Sequence, residues 1–139
     1  MPRLSVIVIA LNQEANIGEC LASVSFADEI VVVDTGSTDR TVELARAYTD
    51  RVLTADWQGF GRTKTFALDQ ARGEWVFSLD TDERVPPALQ DEILACPKCK
   101  GDIRLNEKGD GLICDQCRLV YEIKDDIPIM LIDEAKPLK

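Results

Sequence analysis

The sequence predicts a mixed α/β chain in two parts: a parallel sheet with helices over residues 1–93 and a small β-rich module over residues 94–139. Three observations predict it. Apolar strand-like runs alternate with helical spacing through the first part. The composition changes near residue 94. Four of the five Cys fall in two C-x-x-C pairs after that change.

The first part reads in order. Leu4–Ala10 is a near-continuous β-branched run, as in a strand buried on both faces. From Ala15 to Val24, the apolar residues Ile17, Leu21 and Val24 follow helical spacing. Glu29–Asp34 is a second buried strand. Ser37-Thr38-Asp39 offers cap chemistry for a helix running through Tyr48. Arg51–Thr54 is a short third strand, 55–61 a loop and 63–71 a helix. Glu74–Leu79 is a fourth strand, ending at Asp80-Thr81-Asp82-Glu83. Pro86-Pro87 then opens a helix through Leu94, since Pro suits the first helical turn.

Composition bounds the function. A length of 139 residues allows one ordinary domain or two small ones. Hydrophobic residues at 45% and charged residues at 29% are globular values. The net charge is -9 with no His. That excludes a broad face for nucleic-acid phosphates, disfavours a basic membrane-surface helix and removes every His-based acid, base or metal ligand. The excess carboxylates suit a divalent cation. No apolar run approaches the roughly 20 residues of a membrane span, and Met1–Ser5 lacks a signal peptide's apolar stretch. A cytoplasmic home is therefore expected. Two C-x-x-C pairs plus a spare Cys20 read as a metal site, not as a secreted disulfide framework. Residues 1–93 hold eight basic and 16 acidic residues, and residues 94–139 hold eight and nine, so the excess charge lies in the first part.

Strands alternating with helices imply parallel β-α-β units, which bind ligands at the carboxyl ends of their strands. Polar clusters sit at three such ends: Asn12-Gln13-Glu14, Asp34-Thr35-Gly36-Ser37 and Asp80-Thr81-Asp82. Each alone also reads as turn and cap chemistry. Three together read as a site.

At these residues the chain resembles a family 2 glycosyltransferase with the GT-A fold, closest to the branch that adds sugars to lipopolysaccharide core. The resemblance runs through residues 4–17, 32–41 and 77–83 and covers about 3–93. It implies a partial GT-A, Rossmann-like sheet that binds a nucleotide-diphosphate sugar. By resemblance, Asn12, Glu14, Asp34, Lys64 and Asp80 contact the donor. Asp80 and Asp82 form the D-x-D motif that holds Mg²⁺ or Mn²⁺ against the pyrophosphate. Such a cation would stabilise the leaving diphosphate as a Lewis acid. The chain departs from the family at Thr35, where a second acid is common, and at Thr65, where Asn is common. Family members continue with strands that build the acceptor site and supply a base. Here the match gives way near Ile93-Leu94, so a donor-binding half without an evident catalytic base is expected, and turnover stays open. Its unfinished sheet edge favours self-association.

In the second part, Cys96, Cys99, Cys114 and Cys117 form C-x2-C-x14-C-x2-C. Four thiolates on two knuckle turns suit a closed, structural Zn²⁺ site. Ile103–Leu105, Leu112-Ile113, Val120–Ile123 and Ile129–Ile132 read as short strands, with Asp110-Gly111 as a hairpin turn. So few apolar residues make a thin core, and the metal must supply much of the folding free energy. Over about residues 91–135 the text resembles the Trm112-like family, carried by 92–101, 112–114 and 126–131, and departs at Asp126, where Gly is usual. The resemblance implies a zinc-ribbon-like domain and a non-catalytic role, stabilising a partner enzyme such as a methyltransferase. Ile127, Pro128, Ile129 and Met130 would be its contact residues, or else a strand of the small core. Two functions stand: a glycosyltransferase-like donor-binding protein with a zinc module, or a zinc adaptor on a transferase-like scaffold.

Overall fold

The computed structural model describes residues 4–90, 93, 95–125 and 127–138. The chain divides into two compact units, Met1–Pro86 and Pro87–Lys139.

The first unit is a four-stranded parallel sheet in the order β3-β2-β1-β4. The strands are β1 (Leu4–Ala10), β2 (Glu29–Asp34), β3 (Val52–Thr54) and β4 (Trp75–Ser78). Registers Ala10↔Asp34 and Asp34↔Thr54 bring three strand ends level on the carboxyl edge. β1 and β2 are buried over nearly their whole length, as their β-branched runs require. Helices α1 (Ile17–Ala22), α2 (Thr41–Ala45) and α3 (Phe60–Gln70) connect the strands. α1 buries Ile17, Cys20 and Leu21. Ala67 of α3 packs on Ile7, Val31 and Val33, with Leu53 and Val76 against them.

The helices depart from the expected bounds. α1 and α2 are shorter than their apolar spacing suggests. The amides of Asn16 and Ile17 both turn back to the Gln13 carbonyl, so a turn precedes α1. Tyr48, expected on α2, lies beyond its end and is exposed. α3 begins at Phe60, three residues before the expected Thr63. Gly59, at φ 93°, turns the chain into the helix, and the Thr63 amide bonds its carbonyl at 3.1 Å.

The amino edge of the sheet is tied by one carboxylate. Glu29 Oε1 accepts from the Ser5 hydroxyl (2.7 Å) and the Arg72 amide (2.8 Å), and Oε2 from Arg51 Nη1 (3.0 Å). Gly73 passes so close to Ser5 that a Cβ there would meet Ser5 Oγ at 2.7 Å.

The second unit starts with α4 (Pro87–Gln90). The rest of its expected run includes residues 91, 92 and 94, which lie outside the described residues. An antiparallel sheet follows: β5 (Arg104–Leu105), β6 (Gly111–Cys114), β7 (Leu119–Lys124), β8 (Ile127–Pro128) and β9 (Lys136–Pro137). β8 and β9 both pair with β7, at Ile123↔Pro128 and Val120↔Lys136. The expected strand Ile129–Ile132 is corrected. Pairing stops after the Ile129 amide bonds Glu122 O at 2.8 Å, because the β7 edge next passes to β9. The chain loops out through Leu131 into a 3₁₀ turn at Ile132–Glu134. The hairpin turn is also corrected. Its left-handed residue is Gly109 (φ 75°), while Gly111 lies within β6, where a Cβ would meet Asn106 Nδ2 and Val120 Cγ1 at 2.9 Å. Ile103, Leu112, Ile113 and Tyr121 are the buried apolar residues around Cys96 and Cys114.

Candidate functional site

The loops leaving β1 and β2 are stitched to each other. The Asn12 amide donates to Ser37 Oγ (2.8 Å), and Asn12 Oδ1 accepts from the Thr38 amide (2.8 Å). The Gln13 amide donates to Thr41 Oγ1 (2.7 Å). The Glu14 amide donates to Asp39 Oδ2 (3.2 Å), and Glu14 Oε2 accepts from the Arg40 amide (3.1 Å). Asn12 stands at φ 52°, a conformation Asn tolerates better than most residues. A hydrogen bond from the Thr41 hydroxyl holds the Asp39 carboxyl below the usual range. Asp34 is buried at the end of β2, and its Oδ2 accepts the amides of Gly36 (3.1 Å) and Ser37 (2.9 Å). Its carboxylate therefore shapes the turn beneath this edge.

The β4 end carries the exposed acids Asp80 and Asp82 on a tight turn. The Glu83 amide bonds the Asp80 carbonyl, and the Asp80 amide bonds Glu83 Oε1, each at 2.9 Å. Lys64, from α3, places Nζ 3.8 Å from Asp80 Oδ1. A cation and a carboxylate from separate elements thus meet on this edge. Among the described residues, Asp80 and Asp82 gather no third ligand side chain.

Two residues absent from the sequence-based candidates hold this turn. Arg84 Nη1 donates to the carbonyls of Thr81 (2.7 Å) and Glu83 (2.8 Å), and Nη2 reaches Asn16 Oδ1 at 3.4 Å. Cys20, from α1, points its Sγ at the Asp80 carbonyl (3.5 Å), and burial pushes its thiol up to about 11. The spare Cys and an Arg just past the acidic turn were the signals for them. Asn12, Glu14 and Asp34 join the two stitched loops, Lys64 joins Asp80, and Arg84 links the acidic turn to the first loop through Asn16. Beside them, Thr54, Asp56, Gln58, Arg62, Thr63 and Phe66 line a cleft of about 390 Å³ that the sequence did not suggest.

In the second unit, the Sγ atoms of Cys96, Cys99, Cys114 and Cys117 all lie within 4.8 Å of one another, with Cys99 and Cys114 at 3.6 Å. Zn–S bonds of about 2.3 Å in a tetrahedron put sulfurs about 3.8 Å apart. The Gly101 amide points at Cys99 Sγ and the Cys117 amide at Cys114 Sγ, each at 3.4 Å. Lys100 (φ 62°) and Arg118 (φ 55°) supply the left-handed bends of the two knuckles. Burial works to raise the Cys96 thiol, but the Tyr121 hydroxyl at 3.3 Å and backbone amides bring it down to about 6. Burial raises Cys114, and hydrogen bonding to Cys99 sends Cys117 up to about 12. Cys114 and Cys117 thus resist ionisation beside an easily ionised Cys96. A bound dication removes that conflict and deprotonates its thiol ligands. The donor set fits Zn²⁺.

The family model described as Glycosyl transferase family 2 matches residues 5–95, and the one described as Trm112p-like protein matches residues 92–126. The chain is 42% identical over 100 residues to the lipopolysaccharide core biosynthesis glycosyltransferase LpsC of Rhizobium meliloti, covering 66% of this chain and 37% of LpsC. It is 53% identical over 47 residues to a UPF0434 protein of Methylobacillus flagellatus, covering 34% of this chain and 78% of that protein. The crystal structure of glucosyl-3-phosphoglycerate synthase from Mycobacterium tuberculosis in complex with Mg²⁺ and uridine-diphosphate matches with a TM-score of 0.58 and 31% identity, covering 72% of this chain and 40% of that one. The chain thus spans well under half the length of LpsC and of the mycobacterial synthase. Among the described residues, no helix is long and apolar enough to cross a membrane.

Proposed function

Because the chain belongs to glycosyl transferase family 2 through residues 5–95 and to the Trm112p-like proteins through residues 92–126, we propose that it binds a nucleotide-diphosphate sugar with Mg²⁺ or Mn²⁺ and carries a structural Zn²⁺. The division of labour follows residues 1–93 for the donor and 94–139 for zinc. The observation that carries the reading is the meeting of Lys64 and Asp80 at 3.8 Å on the carboxyl edge of the sheet. Asp80 and Asp82 would hold the cation, which supplies Lewis-acid stabilisation of the diphosphate when bound. Lys64 would add a point charge to the phosphates. Asn12, Glu14 and Asp34 would act on the nucleoside side by fixing the loops it lies against. Cys96, Cys99, Cys114 and Cys117 would close a tetrahedral zinc site with no position left for water.

Sugar transfer needs more than this edge supplies. An acceptor hydroxyl must meet a base within hydrogen-bond reach. The chain has no His, and the segment after the acidic turn is given to the zinc module. Donor binding without transfer is the reading for residues 1–139.

UDP is the probe, since the mycobacterial relative is described with Mg²⁺ and uridine-diphosphate. Its affinity should rise with Mn²⁺, because two carboxylates repel a pyrophosphate unless a cation bridges them. Asp82→Asn should remove that rise. Equal UDP affinity with and without Mn²⁺ in the wild type would sink the reading, and glycosylated acceptor in a radiolabelled-donor assay would sink the no-transfer part.

A second reading has its own observation. Ile127, Leu131 and Ile132 are 62%, 57% and 46% exposed around β8. Such an apolar strip fits a module that docks on a protein partner through residues 127–132. Pull-down of a partner enzyme, lost in Leu131→Glu, would favour it.

A further inference from the structure

We propose that Arg84 is a positioning residue for the cation at the acidic turn. It would set the aim of Asp80 and Asp82 by holding their turn against the loop that follows β1. The inference rests on the donor-binding reading above.

The geometry is a fork closed on a turn. Arg84 Nη1 donates to the carbonyls of Thr81 (2.7 Å) and Glu83 (2.8 Å), the residues on either side of Asp82. Nη2 reaches Asn16 Oδ1 at 3.4 Å and lies 3.5 Å from Glu19 Oε2. A guanidinium is planar, with its donors in a rigid array. Fixing one nitrogen on the turn and the other on the β1–α1 connection therefore fixes the turn relative to that connection. Two further contacts pin the same segment. Cys20 Sγ meets the Asp80 carbonyl at 3.5 Å, and the Val85 amide donates to Ser23 Oγ at 3.1 Å. These contacts hold the backbone of the turn while both carboxylates stay exposed.

Charge supports the same role. Arg84 is a cation beside two acids, yet among the described residues its ion pair is with Glu19. Arg84 therefore neutralises neither Asp80, which meets Lys64 at 3.8 Å, nor Asp82. Groups behind metal ligands commonly decide how well those ligands bind. Arg84 also keeps a buried Nε with no hydrogen-bond partner among the described residues. A variant that removes the guanidinium removes that unmet donor as well, which offsets part of the lost bonding.

The test titrates UDP into the full chain, with Mn²⁺ and with EDTA, for wild type, Arg84→Met and Arg84→Lys. The Mn²⁺-dependent affinity should fall about 10–100-fold in Arg84→Met, with the metal-free affinity unchanged. Arg84→Lys keeps the charge but not the fork, so it should lose affinity in the same way. The electron paramagnetic resonance spectrum of bound Mn²⁺ should also differ between wild type and the variants, a change that a purely stabilising role does not produce. Wild-type Mn²⁺-dependent affinity in Arg84→Met, or full recovery in Arg84→Lys, overturns the inference and leaves donor binding standing. A wild-type chain whose UDP affinity ignores Mn²⁺ overturns the donor reading and the inference with it. Where Arg84→Met does not fold, Arg84→Lys and its spectrum decide.

Discussion

The two units hold themselves together by opposite means. In the first, β1 and β2 are buried along nearly their whole length, and α1 adds Ile17 and Leu21 to the core. Apolar area removed from water, at about 25 cal/mol per Å², does the stabilising. In the second, β5 is exposed, β7 is mostly half-buried, and the buried apolar side chains are few. Four sulfurs within 4.8 Å stand where a core would be. The difference shows how unit size selects the means of stabilisation. A small fold cannot bury enough area for its chain entropy, and under the proposed reading a metal at the four sulfurs would make up for the missing core.

The sharpest way to break this comparison is through the cysteines. Cys114→Ser, or zinc chelation, should unfold the second unit and spare the parallel sheet. Structural zinc in small zinc-finger peptides is worth about 10–16 kcal/mol. Elemental analysis should find one Zn²⁺ per wild-type chain, and limited proteolysis should then cut the variant after residue 95 while the first unit resists. Joint loss of both units would show that the first does not stand by its own core.

A smaller effect should come from the amino edge of the first sheet, and it should leave zinc content untouched. Burial works to raise the Glu29 pKa, but the Arg72 amide, the Ser5 hydroxyl and Arg51 together hold it below the ordinary 4.5. A carboxyl with a lowered folded pKa stabilises above its unfolded value, near 4.5, and loses that contribution as pH falls through the lower folded value. Glu29→Gln should cost about 1.5–3 kcal/mol at neutral pH, the range for hydrogen bonds to a charged group. It should also flatten the acid limb of the first unit's stability curve, measured by urea unfolding between pH 3 and 7. An unchanged acid limb would move the pH sensitivity elsewhere.

How much the sequence revealed also differs between the units. The runs at Leu4–Ala10 and Glu29–Asp34 were legible because strands buried on both faces must be apolar throughout. The cysteine spacing was legible because ligand geometry leaves few alternatives. β9, and the end of pairing at Ile129, were not, since two-residue pairings carry no periodicity. The early start of α3 was hidden because Gly59 and Gly61 read as loop until the backbone at Gly59 is seen. At the strand ends, Asn12, Glu14 and Asp34 stood out as polar residues. Their partners did not, because they are mostly backbone amides of the neighbouring loop or turn. Arg84 stood just past the acidic turn, but its role did not show there, because its fork closes chiefly on carbonyls.

The place of β1 between β2 and β4 has a consequence for how the chain is made. Of these four strands β1 comes first in the chain yet lies inside the sheet, and Leu4 must wait for Trp75 before its second edge is covered. Until then an apolar ribbon stands with one side open, the state in which strands capture foreign edges. Closing that long loop is slow, because its entropy is lost before the contacts that reward it form. The β6–β7 hairpin joins near neighbours and can close without waiting for distant strands. Chaperone demand during synthesis should therefore concentrate on nascent chains that end before β4.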